Sequence, residues 1–201
     1  MDNGQNLTVP GQLVNTKVPQ FVWKCIRKME SDPSLMVTEG IYRIPGDASK
    51  IQKIRLDIDQ VNRMLNFCSS LFFFVQDIWD TFDKCDDIHV LAGSLKLFLR
   101  ELPEPLLPYF IHNNLQKAAQ GKGSHGKDIV SSMEAELEKL EVEEMATLAE
   151  VVRHLGKVAA ASNKMDVDNL SLLFGQVLLW PDMSNCSDLN ILAGRRLQNI
   201  V

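Results

Sequence analysis

Apolar residues recur at helical spacing along most of this chain, and nowhere do they alternate in the period-two manner of a strand. Ile51, Ile54, Ile58, Val61 and Leu65 form the cleanest stripe, which puts one apolar face on a helix that Asp47 can cap. Phe21, Val22, Cys25, Ile26 and Met29 mark an earlier helix. Pro19 suits its first position, and Ser31-Asp32-Pro33 stops it just after Glu30. A third helix starts at Asp86 or Asp87 and carries Ile88, Leu91, Leu95, Phe98 and Leu102. Leu102-Pro103-Glu104-Pro105 ends it, because proline withholds an N–H and disfavours helix in the residue before it. The pattern predicts an all-α fold.

Further helices are expected over about 108–120, then around Ile129, Met133, Leu137 and Leu140, then around Met145, Leu148, Val152, Leu155 and Ala159. The tract Gly121–Gly126 reads as a flexible connector, extending to about residue 128. Asp166 can cap a helix running to about Trp180, apolar nearly all round and so expected in the middle of a bundle. A final helix near Asp188 reaches Val201 with little room for its closing turns, an expected truncation. The sum is a bundle of about seven to eight helices in one domain over 18–201, behind a polar lead-in over 1–17.

Charge and motifs narrow the function classes. A net charge of −5 without a Lys/Arg block argues against a nucleic-acid binder. Cys25, Cys68, Cys85 and Cys186 form no C-x-x-C pair and follow a polar start, which predicts reduced thiols in a cytoplasmic protein. The longest apolar stretch, Leu65 to Trp79, is interrupted by Asn66, Ser69, Ser70, Gln76 and Asp77, so no transmembrane segment is expected. Gly121-Lys122-Gly123-Ser124-His125-Gly126-Lys127 matches phosphate-loop spacing. It lacks the preceding strand, and Asp128 stands where a hydroxyl should be, so a connector fits better. Cys85 and His89 find no second pair to complete a metal site. Without a G-x-S-x-G elbow or an H-E-x-x-H helix, no stand-alone enzyme is expected.

Thr38-Glu39-Gly40-Ile41-Tyr42-Arg43-Ile44-Pro45-Gly46 lies between two helices and is rich in residues that turn a chain. Arg43 is therefore carried on a bent loop. Two readings stand: a surface arginine fixing a turn, or a planar donor fork reaching phosphate oxygens in a partner. Lys96 and Arg100 lie four apart on one helical face. They are either a solvated face or a pair in which one cation braces the arginine loop and the other meets a phosphate-bearing or acidic partner.

Taken together, several runs resemble the Rho-family GTPase-activating (RhoGAP) domain. They are Val18-Pro19-Gln20-Phe21-Val22 with Cys25-Ile26, Glu39-Gly40-Ile41-Tyr42-Arg43, and Leu95-Lys96-Leu97-Phe98-Leu99-Arg100-Glu101-Leu102-Pro103-Glu104-Pro105-Leu106. Asn163-Lys164-Met165 and Asn169-Leu170-Ser171-Leu172-Leu173-Phe174-Gly175 complete the set, in the family's order. The resemblance implies an all-helical domain that docks on a Rho/Rac-type small GTPase and stimulates its GTP hydrolysis. Arg43 is implied as an arginine finger acting in trans, on a loop shaped by Gly40 and Tyr42. Arg100 is implied to hold that loop from within, and Lys96 to contact the GTPase. Such a domain is an activator, not an enzyme, and has no cofactor or metal of its own; the partner carries GTP and Mg. Peripheral membrane recruitment would come from domains outside this chain.

Two departures qualify the resemblance. Val177 stands where many members carry a polar residue, often asparagine, implied to face the GTPase. The stretch around Met64–Gln76 looks longer than the usual connection, and its Leu71-Phe72-Phe73-Phe74-Val75 core either packs on the domain or meets a membrane or partner. Two alternatives remain open: a GTPase-binding module with weak or no activating power, and a helical scaffold unrelated to G proteins.

Overall fold

The computed structural model describes residues 8–9, 12–13, 17–67, 79, 82–111, 114 and 126–179. Its helices are α1 (Gln20–Ser31), α2 (Pro33–Met36), α3 (Ala48–Phe67), α4 (Ile88–Arg100), α5 (Gly126–Leu137), α6 (Val142–Ala160) and α7 (Val167–Leu178). A two-residue antiparallel ladder pairs β1 (Thr8–Val9) with β2 (Gln12–Leu13) in the segment read as lead-in. The fold is all-α, as the periodicity predicts. No helix among the described residues is long and apolar enough to cross a membrane.

The helix starts follow their capping chemistry. Asp47 Oδ1 accepts from the N–H groups of Ser49 and Lys50 at 2.8 and 3.2 Å. Asp87 Oδ1 does the same for His89 and Val90, and Asp166 Oδ1 for Asn169. Each bond satisfies a donor that the first helical turn leaves without a carbonyl. Asp32 does more than end α1: its carboxylate accepts from Ser34 N at 2.8 Å and starts the single turn of α2, with Pro33 in its first turn.

Helix α4 is the centre of the bundle. It packs against α1, α3 and α7, while α6 packs against α1 and α7. Phe21, Val22, Cys25, Ile26 and Met29 of α1 are all buried, and Ile88, Leu91, Leu95 and Leu99 of α4 meet them in one core. Each large side chain withdrawn from water this way contributes roughly 1.5–3 kcal/mol before entropy is charged against it. Gly93 lets α3 approach α4: a Cβ there would lie 2.5 Å from Ile51 Cδ1. Phe21 also stacks on Trp79 and meets Phe82 and Phe98, joining the chain before α4 to α1.

Several expectations shift. Helix α3 continues through Phe67, so Met64–Phe67 is helix rather than insertion; residues 68–78, including Leu71–Val75, lie outside the described residues. Helix α5 opens at Gly126, earlier than expected. The expected connector therefore ends before Lys127 and Asp128. On α6 the buried residues are Thr147, Leu148, Val151, His154 and Val158, whereas Val152 is 54% exposed. A count of apolar residues skips His154 and so misplaces the face. Helix α7 is not buried all round: Val167 and Leu172 are 66% and 69% exposed, because α4 and α6 cover only its Leu170, Phe174, Val177 side. The expected helix over 108–120 is largely outside the described residues. The connector 121–125, Cys68, Cys186, Trp180, the final helix near Asp188 and its truncation are wholly so.

Glu30, at the end of α1, gathers cations from α6. Its carboxylate accepts from Lys157 Nζ at 2.6 Å, Arg153 Nη1 at 3.2 Å and His154 Nδ1 at 3.0 Å. Burial alone would raise this carboxyl; the bonds from His154, Lys157 and Arg153 outweigh it and hold it well below the usual range. A lowered folded value means that the group's stability contribution is present above its ordinary 4.5 and is lost as pH falls below it. Urea midpoints measured between about pH 6 and about pH 3 should therefore fall more steeply for the native chain than for Glu30→Gln.

Candidate functional site

Arg43 sits on a turn that α1, α4, α6 and the α6–α7 junction all grip. Gly40 and Tyr42 are both left-handed, at φ 73° and 68°. Glycine adopts that conformation freely, and a Cβ at Gly40 would also crowd Ile44 at 2.8 Å. Tyrosine does not adopt it freely, and the strain, on the order of 1–3 kcal/mol, persists only where surroundings over-determine it. The turn closes on itself through Arg43 N and Ile44 N, which both donate to Gly40 O at 2.9 Å. Farther along, Gly46 lies so close to α4 that a Cβ would come within 2.6 Å of the His89 and Val90 backbone.

The surroundings of Tyr42 supply that over-determination. Its ring is fully buried, edge-on to Phe174 at 4.8 Å between centroids and to His154 at 5.9 Å. The phenol oxygen lies 2.8 Å from His154 Nε2, and burial pushes the phenol well above its usual range. Lys96 Nζ donates to the Tyr42 carbonyl at 2.6 Å. Gly40 N donates to Asn163 O at 2.9 Å. Asn163 is itself buried, donating to the Met36 and Val158 carbonyls and accepting from Met165 N.

Arg43 itself points outward. Its side chain is 48% exposed, and Nη2 lies 3.7 Å from Glu39 Oε1. Glu39 is shared with Lys164 Nζ at 2.7 Å. An exposed pair at that distance is worth about 0–1 kcal/mol, far too little to stop the guanidinium leaving for a better acceptor. A turn held from several sides thus carries a weakly tethered cation.

The two α4 cations divide their work differently from the expectation. Lys96, not Arg100, braces the turn. Arg100 is the last residue of α4, one helical turn (about 6 Å) beyond Lys96, and is exposed. It donates to no described residue. Burial, then the nearby Arg100 charge, brings the Lys96 ammonium down to about 8. So Arg43, Gly40, Tyr42 and Lys96 come together, while Arg100 lies near Lys96 without bonding to the turn.

Val177 is fully buried in the α7 face. Its neighbour Gln176 is exposed, so the position read as facing a partner packs inward here. Restoring asparagine would bury an amide among apolar side chains, at a cost of about 1–3 kcal/mol. Val177→Asn should lower the melting temperature without raising any stimulated hydrolysis, as calorimetry and a GTP turnover assay would report.

Sequence reasoning missed His154, Glu30 and the clasp role of Asn163. His154 was legible in one respect: drawn through Val151, His154 and Val158, the α6 stripe puts a histidine on the core face, which demands polar partners from a neighbouring helix.

Comparison with known proteins bears on what such a turn serves. The RhoGAP domain model matches residues 19–183. Rho GTPase-activating protein 15 of Gallus gallus is 32% identical over 181 residues, covering 89% of this chain and 34% of the relative. Rho GTPase-activating protein 27 of Mus musculus is 34% identical over 178 residues, covering 85% and 18%. This chain therefore spans about a third or less of those relatives. The crystal structure of human Rho GTPase activating protein 15 superposes with a TM-score of 0.67 at 30% identity, over 92% of this chain and 79% of that one. The BH domain of GRAF, a GTPase regulator associated with focal adhesion kinase, gives 0.61 at 26% identity, over 90% and 85%. With the model matched from α1 through α7, and the arginine turn within the matched span, the chain belongs to the RhoGAP domain family.

Proposed function

We propose that this domain stimulates GTP hydrolysis by a Rho/Rac-type small GTPase, with Arg43 entering the partner's site in trans. The observation that carries the reading is the pairing of a rigidly held turn with an exposed guanidinium tied down by one weak ion pair. In hydrolysis, negative charge builds on the transferring phosphoryl group, and a forked cation placed there stabilises it at little reorganisation cost. The partner supplies GTP, Mg and the attacking water, so the domain is an activator with no cofactor of its own. Lys96 shapes the turn, and Arg100 is the cation left to meet the partner's surface.

The alternative is a binding module that engages the GTPase without accelerating it. Multiple-turnover hydrolysis by a panel of Rho-type GTPases, with this protein at catalytic amounts, separates the two. Acceleration supports activation. Complex formation with the GTP-bound partner but no acceleration supports the module, and no binding at all points to an unrelated scaffold.

A further inference from the structure

The finger turn is tied to α6 and to the end of α1 by a chain of hydrogen bonds that the expected machinery does not include. Glu30 Oε1 lies 3.0 Å from His154 Nδ1, and His154 Nε2 lies 2.8 Å from the Tyr42 hydroxyl. A carboxylate only accepts, so His154 Nδ1 donates to Glu30, which fixes the ring with Nε2 turned to the Tyr42 hydroxyl. Met29 Sδ, 3.8 Å from the same oxygen, is a weak alternative partner. His154 is fully buried, so its ring has no water to turn to if either neighbour is lost.

The residue gripped is the one immediately before Arg43, and it is held in the left-handed conformation that an aromatic residue disfavours. Its hydroxyl is tied by α6 and its carbonyl by Lys96 of α4, so the plane of the Tyr42–Arg43 peptide is fixed from two sides. Loosening the hydroxyl tie lets φ relax, and the Arg43 Cα swings with it. Misplacement of a catalytic group by about 1 Å costs on the order of 10²-fold in rate.

We propose that His154, oriented by Glu30, is a positioning residue for the arginine finger, acting through the Tyr42 hydroxyl. It touches neither nucleotide nor partner. This inference rests on the reading of Arg43 as a finger acting in trans.

The test measures kcat and KM for stimulated hydrolysis with the native chain, Tyr42→Phe, His154→Leu and His154→Gln, alongside circular dichroism. Tyr42→Phe keeps the buried ring and removes only the hydroxyl, so it remains informative if His154→Leu does not fold. The expected result is a kcat lowered about 10–100-fold in Tyr42→Phe with KM for the GTP-bound GTPase changed less than about threefold. His154→Gln, which can still present a polar group to Tyr42, should recover part of the kcat lost in His154→Leu. A loss of stability alone would not produce a kcat-only defect in the folded protein. A native chain that stimulates while Tyr42→Phe keeps its full kcat overturns this inference and leaves the finger reading standing. A native chain that stimulates no Rho-type GTPase overturns both.

Discussion

Arg43→Ala is expected to lower stimulated GTP hydrolysis by ~10³–10⁵-fold, which corresponds to roughly 4–7 kcal/mol of barrier. Nothing in the fold should notice the change. The side chain is 48% exposed and its only described ion pair, with Glu39, is 3.7 Å long. Exposed substitutions of this kind shift stability by no more than about 0.5 kcal/mol. Binding to the GTP-loaded partner should survive, since a finger of the proposed kind acts on charge that develops during the reaction and not on the ground-state complex. Arg43→Lys should recover little, because an ammonium places one charge where the guanidinium places a planar fork. The measurement is single-turnover hydrolysis at saturating activator beside a binding titration. Equal loss of binding and rate would make Arg43 an anchor rather than a finger, and an unchanged rate would leave only a surface arginine on a well-made turn.

The helices were legible because each carries local signals that agree with its packing. Asp47, Asp87 and Asp166 cap the helices they precede, and the α1 stripe from Phe21 to Met29 is buried without exception. What stayed hidden is polar and long-range. His154 lies 124 residues from Glu30 and 112 from Tyr42, and nothing local tells an apolar count that a histidine belongs on the core face. The same blindness exchanged Lys96 and Arg100. Spacing places both on one face of α4, but which of them reaches the Tyr42 carbonyl depends on where the turn lies along the helix axis. Val177 is the converse case: its apolar spacing with Leu170 and Phe174 is a local signal for packing, and the side chain is fully buried.

The largest loss of stability is expected from Phe174→Ala. Phe174 is 2% exposed and stands edge-on to Tyr42 at 4.8 Å and 82°. Deleting such a ring costs about 3–5 kcal/mol in lost transfer energy and residual cavity, and the aromatic pair accounts for about 0.5–1.5 kcal/mol of it. Against a total stability of about 5–15 kcal/mol that is a large share, and at about 2–4 °C per kcal/mol the melting temperature should fall by ~6–20 °C. Leu172→Ala is the control on the same helix. Its side chain is 69% exposed, so its melting temperature should stay near the native value. Function should follow a different order from stability. Below the Phe174→Ala transition the domain remains folded, yet Tyr42 has lost the wall that holds it at φ 68°, so stimulated hydrolysis should drop even at temperatures where circular dichroism is native. If Phe174→Ala melts with Leu172→Ala, α7 does not pack as described. If it melts early but keeps full kcat while folded, the turn holds its shape without that wall, and the hydrogen bonds to Lys96, His154 and Asn163 suffice.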